Sequence, residues 1–295
     1  TYCSKNIRGE ILNMTRLIHS LLLFMLPLTP AVSDEIFSID TYLRMQGASE
    51  ISVSPDGQFV AYSLYERDLE RDQATSSVWM IPAAGGLPIR MTESNSDSYS
   101  PKWSPDNRFL AVLSDRADQQ SQIWILDRRG GDAQPLTEFK QGIFSYNWSP
   151  KGNQILLEVK DATPADLDEE IRPNPRPYVI DRLQFKEDYV GYLDRYRYHL
   201  HVIDIDTKLT RQLTFGDFDD SQSSWSPDGR HVAFVSNRTE QPDQNRNTDI
   251  WLLDTTKANP EPQQLTFSPH QDASPTWSRD GKHLAYTTAA SSDLS

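Results

Sequence analysis

A five-residue element recurs five times along the chain, and it limits what the chain can fold into more than any other feature. It reads VSPDG at 53–57, WSPDN at 103–107, WSPKG at 148–152, WSPDG at 225–229 and WSRDG at 277–281. A self-similar period of roughly 40–50 residues is the mark of propeller blades. Three of the four intervals fall near it; the third, between the copies at 148 and 225, is longer and carries an insertion. The element has the chemistry of a hairpin turn: Pro fixes φ at the second turn position, Asp suits the third, and the closing Gly accepts a positive φ. The preceding Trp presents a large apolar face at a strand end, with a ring N–H able to find an acceptor. Packing of one blade on the next is its expected role, ahead of a ladder of rings stacking a ligand.

Each copy leads into an alternating run, as in FLAVLS at 109–114, HVAFVS at 231–236 and HLAYT at 283–287, which the period of two predicts as strands with one face inward. A second strand signal follows at 78–81, 123–127, 200–204 and 250–254. A short run ending in Leu or Met plus Thr comes next, at Met91–Thr92, Leu136–Thr137, Leu213–Thr214 and Leu265–Thr266. With the strand ending at the Trp, this makes four strands per repeat. The predicted fold is all-β: a propeller of four-stranded blades, incomplete at about four and a half blades, preceded by a signal peptide. Blades are expected at 50–93, 98–138, 144–215 and 220–267, with a fifth of two strands. The domain plan is an upstream extension and signal peptide at 1–33, a lead-in at 34–49, and a partial propeller at 50–295 with an insertion at about 161–197. Uncovered blade edges make self-association, and hence a homo-oligomer, an expectation for such a chain.

Composition narrows the partners. With 42 acidic against 29 basic residues the net charge is −13, and no basic stripe interrupts it, so nucleic acid is not an expected partner. Met14, Thr15 and Arg16 give a short basic opening, 17–28 is mostly apolar, and Ala31, Val32 and Ser33 offer small cleavage-site residues, the pattern of a signal peptide. The apolar run is too short for the roughly 20 residues of a spanning helix. The protein is therefore expected to be exported, periplasmic or secreted, with no membrane attachment after cleavage. The single cysteine, Cys3, precedes this segment, so a mature chain from about Asp34 has no thiol for a disulfide, a nucleophile or a metal.

No catalytic residue is assigned. A hydrolase elbow needs Gly-x-Ser-x-Gly, and the nearest approach, 47–51 (GASEI), lacks the second Gly. His199 and His201 share a strand face but have no third ligand close in sequence, so no metal or other cofactor is expected and the two are read as exposed strand residues. Asp217, Asp219 and Asp220, like Asp166, Asp168, Glu169 and Glu170, fit no calcium loop and read as solvated acidic loops. Glu169 and Glu170 could alternatively hold a peptide's amino terminus, because paired carboxylates attract an ammonium. The insertion is the more informative stretch. It runs through Pro173, Pro175 and Pro177 into Arg182, Phe185, Tyr189, Tyr192, Tyr196 and Tyr198. It is either a contact surface for a peptide or another domain, or a hairpin extension packing on its own blade. The candidate substrate-binding set is Glu169, Glu170, Arg182, Tyr189 and Tyr192.

At these residues the chain resembles the propeller of the prolyl oligopeptidase family of serine peptidases, in its acylaminoacyl-peptidase and dipeptidyl-peptidase-like branch. The resemblance covers about 36–295. It rests on FSIDTYL at 37–43, on the pairing of WSPDG with SNR across 225–238, and above all on RPYVIDRLQFKEDYVGYLD at 176–194. It implies a parent enzyme in which an α/β-hydrolase domain with a Ser, Asp, His triad cleaves peptides by acyl transfer while the propeller restricts access. Peptide substrates and that hydrolase domain are the partners so implied. The repeats alone are also similar to the TolB group of propellers, which leaves a partner-binding propeller without enzymatic activity as the alternative. The short stretch ahead of the first SPDG, where a TolB-type chain would carry an α/β domain, favours the peptidase.

Overall fold

The computed structural model describes residues 38–69, 72–93, 96–116, 120–167, 180, 182–188 and 191–289. The leader at 1–33, Glu169, Glu170 and Tyr189 lie outside them. The chain divides into two units, 1–42 and 43–295. The described part of the first enters the helical turn α1 (Ile39–Leu43), where the Ser38 hydroxyl accepts the Thr41 N–H at 3.1 Å as an N-cap.

In the second unit each repeat forms one antiparallel sheet. The first is β1 (Gly47–Val53), β2 (Phe59–Asp68), β3 (Gln73–Pro82) and β4 (Ile89–Arg90). The second is β5 (Ser98–Trp103), β6 (Phe109–Ser114), β7 (Gln122–Asp127) and β8 (Gln134–Pro135). The third starts with β9 (Ser145–Trp148) and β10 (Gln154–Lys160). After the helical turn α2 (Pro164–Leu167) and a ribbon of β11 (Lys186–Glu187) with β12 (Gly191–Tyr192), it resumes with β13 (Tyr198–Asp204) and β14 (Thr210–Gln212). The fourth is β15 (Asp220–Trp225), β16 (His231–Ser236), β17 (Asp249–Asp254) and β18 (Gln263–Gln264), and a fifth sheet pairs β19 (Asp272–Trp277) with β20 (Leu284–Thr288). The fold is a propeller of four-stranded blades.

The blades hold together face to face. Each buried cluster straddles two neighbours: Ala61 and Val78 with Leu110 and Val112, then Leu113 and Ile123 with Tyr146 and Leu157, then Leu156 and Leu200 with Val232 and Phe234. Consequently β6, β10 and β16 are buried on both faces, not on alternate residues as the period of two suggested. The reason is that a second strand in mid-propeller has a sheet on either side; β20 leaves its last four residues exposed.

Three repeated devices fasten the blades, two of them between neighbours and one within each blade. The Trp148, Trp225 and Trp277 indole N–H groups donate to the carbonyls of Lys102, Asn147 and Ser224 in the preceding blade, at 3.0, 3.3 and 3.2 Å. The threonines at the ends of the short runs turn inward. Thr92, Thr137, Thr214 and Thr266 accept the backbone N–H of Val78, Ile123, Leu200 and Ile250, each at 2.9 Å, where the short fourth strand has stopped pairing. Finally, the first strand of four blades bulges at a non-glycine residue with positive φ, at Glu50, Ser100, Gln222 and Ser274. The exposed N–H at one bulge is taken up by the preceding blade: Ser100 N donates to Glu50 Oε2 at 2.7 Å, and Ser274 N to Gln222 Oε1 at 2.8 Å. β9 pairs with β10 without a bulge. There the link to the next blade comes from Glu158, whose Oε1 accepts the Ser223 N–H and hydroxyl, both at 2.9 Å.

The SPDG turns contain more than Pro and Gly. Gly57, Gly229 and Gly281 have φ of 67°, 68° and 69°. In addition, the Ser54 hydroxyl donates to Asp56 Oδ1 at 2.6 Å, and the same carboxylate oxygen accepts the Gln58 N–H at 3.0 Å. Ser104 with Asp106, Ser226 with Asp228 and Ser278 with Asp280 repeat the bond. In the third turn Lys151 stands in the Asp place; the Ser149 hydroxyl accepts the Gln154 N–H at 3.2 Å and donates only a long bond of 3.4 Å, to Asn153.

Candidate functional site

Strands alternate in direction, so the SPDG turns all emerge at one end of the blades. The connections from second to third strand, and from one blade to the next, emerge at the other. The insertion between β10 and β13, the 213–219 segment and the 237–248 loop therefore share an end, and they enclose a cleft of about 790 Å³. This cleft is the candidate site.

Its walls are set by ion pairs. The insertion is closed at its base by Asp161 N donating to Arg197 O at 2.7 Å and Arg197 N to Asp161 Oδ2 at 3.1 Å. The Arg197 guanidinium turns towards blade four, meeting Asp217 at 2.7 Å and Asp219 at 3.2 Å. Further along, Lys160 pairs with Asp194 at 2.8 Å. Arg182 reaches the 237–248 loop, where its Nε donates to both carboxylate oxygens of Asp243, at 3.1 and 3.0 Å. That hydrogen-bonded guanidinium holds the Asp243 carboxyl below the ordinary range. The loop is stiffened by Asn237, whose amide nitrogen donates to Asn245 Oδ1 at 3.0 Å while its carbonyl oxygen accepts from Thr239 N–H and hydroxyl.

Beneath the cleft lies a buried charged group. Asp220, fully buried at the start of β15, accepts from Arg238 Nη2 at 2.7 Å and lies 3.3 Å from His199 Nδ1. Arg238 in turn faces the rings of Phe218, Phe234 and Trp251. His199 Nε2 looks towards Asp161 at 3.6 Å. Two expectations are corrected by this. His199 is buried rather than exposed, and His201 is largely covered, edge-on to Phe139 at 5.8 Å; burial and then His199 pull the His201 pKa down to about 4. Asp220 is no solvated loop residue, whereas Asp217 and Asp219 are exposed as expected, each also meeting Arg197. A strand histidine becomes interior here because the next blade covers it.

Of the candidate binding residues, Arg182 lines the cleft but spends its guanidinium on Asp243. Tyr192 lies on the ribbon, half exposed, its ring 6.4 Å from Phe185. Glu169, Glu170 and Tyr189 fall outside the described residues. Asp166 caps α2, accepting the Thr163 N–H at 2.7 Å. Residue-by-residue reading missed Asp220, Arg238 and Glu158. One signal was available for the first: an Asp five residues ahead of the Trp occurs twice, at Asp220 and Asp272.

No protein-family model matches the chain. It is 27% identical over 222 residues to the uncharacterized peptidase YuxL of Bacillus subtilis, covering 74% of this chain and 34% of that protein. It is 24% identical over 90 residues to dipeptidyl-peptidase 5 of Porphyromonas gingivalis, covering 30% and 13%. The chain thus spans about a third or less of the curated relatives it matches. Among solved structures it superposes on the acylaminoacyl peptidase of Pyrococcus horikoshii with a TM-score of 0.59 and 19% identity, over 77% of this chain and 33% of that one. It superposes on a protein assigned as TolB from Agrobacterium tumefaciens with a TM-score of 0.53 and 19% identity, over 85% and 73%. The fold is the blade propeller shared by these two groups. Within it, the sequence likeness to peptidases makes this a peptidase-related propeller, similar to the propeller portion of the prolyl oligopeptidase family.

Proposed function

We propose that this chain is the non-catalytic, substrate-gating propeller of an exported serine-type peptidase, in which an α/β-hydrolase domain cleaves peptides by acyl transfer. The observation that carries this reading is the sequence likeness to a peptidase over 222 residues. The geometry supports it: the insertion and the inter-blade connections gather at one end of the blades and form a cleft with polar and charged walls, a surface suited to extended peptide rather than to a folded protein. Arg182, Tyr192, Glu169, Glu170 and Tyr189 belong to the insertion and are the residues proposed to meet that peptide. The likeness to TolB covers 73% of that chain and favours, as a second reading, a propeller that binds a protein partner and catalyses nothing.

The test compares the 295-residue chain with the full-length gene product. A fluorophosphonate probe is expected to label the full-length protein and leave the 295-residue chain unlabelled. Replacing residues 162–196 of the full-length protein by a short Gly/Ser linker is expected to let it cleave casein-sized substrates that the parent excludes, with short peptides cleaved as before. An unlabelled full-length protein would select the binding-propeller reading; unchanged size selectivity would remove the gating role.

A further inference from the structure

The repeats make an internal comparison that isolates one anomalous site. Leu200 and Ile250 are equivalent, since the N–H of each donates to a threonine hydroxyl at the end of its own blade. The residues before them, His199 and Asp249, are therefore equivalent too. Asp220 and Asp272 also correspond: each opens a first strand and pairs with the last residue of the second, Ser236 and Thr288. Between blades three and four this socket holds a buried acid with His199 and the Arg238 guanidinium. Between blades four and five it holds two acids. Asp249 is 4% exposed and Asp272 fully buried, and neither carboxylate oxygen of Asp272 has a hydrogen-bond partner. Arg238 lies two residues past Ser236; two residues past Thr288 the sequence has Ala290.

We propose that the Asp249 and Asp272 socket is a binding site for the guanidinium of an arginine-containing peptide. A buried carboxylate without a cation or donor is costly, and the matching socket one blade earlier shows which cation this geometry takes. A planar guanidinium fits a carboxylate through two parallel N–H bonds, as a compact ammonium does not. Asp249 borders a second pocket of about 240 Å³ with Arg238, Asn247, Trp251 and Gln264, and the residues immediately before Asp249 and Asp272, Thr248 and Gln271, line the cleft. Few other groups compete. Gln264 and Thr266 bond Asp249 at 2.9 and 3.2 Å, His270 Nδ1 is buried without a partner, and Arg238 borders Asp249 but is committed to Asp220. Burial first, and the Asp272 charge beside it, raise the Asp249 carboxyl above its ordinary value against the Thr266 and Gln264 bonds. An empty socket therefore favours a proton, which an incoming guanidinium displaces, so binding strengthens as pH rises.

The test is thermal unfolding of the 295-residue chain with N-acetyl-arginine amide, at about pH 5 and about pH 8, with N-acetyl-lysine amide as comparator. The expected result is a saturable rise in midpoint with the arginine compound, larger at the higher pH and small with the lysine compound. Asp272→Asn removes the unpartnered buried carboxylate and is expected to raise the unliganded midpoint while abolishing the response. Asp249→Asn, which removes the other carboxylate of the socket, is expected to abolish the response too and serves if Asp272→Asn does not fold. No shift at either pH, an equal shift with the lysine compound, or a response retained in both variants overturns the proposal. The readout is stability, so it is independent of whether the parent hydrolyses peptides.

Discussion

Arg238 shows how much one side chain can carry when neighbouring blades close over it. Its guanidinium neutralises a fully buried Asp220 and covers three aromatic rings. Removing one member of a buried pair leaves the other charge without its partner, a loss of about 3–5 kcal/mol. Arg238→Ala should therefore lower stability by about 3 kcal/mol, moderated by His199, and Arg238→Lys should recover only part, because the two-pronged geometry is lost. Urea midpoints measure both; a loss below about 1 kcal/mol would show that the pair is not holding the start of the fourth blade in place. His201 acts through titration. Its folded pKa of about 4 lies below the ordinary value near 6.5, so the unfolded chain takes up a proton over an interval in which the folded chain does not. Stability from this residue is present above about pH 6.5 and falls away as pH drops towards about 4. In His201→Phe the slope of stability over that interval should flatten, which urea midpoints at several pH values will show.

At the scale of elements, the turns and the insertion behave differently. A turn is a local object, and its Ser and Asp satisfy each other and the backbone within five residues. The third turn lacks the carboxylate because Lys151 replaces it, so Lys151→Asp should add about 0.5–1 kcal/mol by restoring the bonds seen around Asp228. No gain in the unfolding midpoint would show that the carboxylate follows the turn rather than helping to fix it. The insertion is held to another blade by Arg182 and Asp243, at a partly exposed site where the pair contributes little to global stability. Asp243→Ala should accordingly leave the urea midpoint within about 1 kcal/mol while tryptic cleavage inside the insertion speeds up several-fold. Equal cleavage rates in parent and variant would mean that the contact does not position the insertion.

Over the whole molecule, the carboxylates pull in opposite directions as pH changes. The Ser54 hydroxyl, and then Arg128, hold Asp56 at about 2; Ser226 and Ser278 likewise lower Asp228 and Asp280. Their folded pKa values lie below the unfolded ones, so their contribution is complete above about pH 4 and is lost as pH falls below it, for Asp56 towards about 2. A triple Asp→Asn variant at 56, 228 and 280 should be less stable than the parent at neutral pH and converge with it in strong acid. A gap that persists into strong acid would contradict this account. The repeats, the four strands per blade and the turns could all be read from the sequence. Each is written in local residue types: a Pro and Gly in a turn, an alternation in a strand, a Trp at a strand end. The buried charges could not be read in the same way. Asp220, Arg238, His199, Asp249 and Asp272 look like surface residues until the next blade is laid over them. Whether a carboxylate there meets a guanidinium, a histidine or another carboxylate depends on pairs 18 to 23 residues apart, brought together by strand pairing for Asp220 with Arg238 and by the stacking of sheets for the others. Local chemistry fixed the blades, and the packing between blades decided which of their polar residues became interior and what each would face.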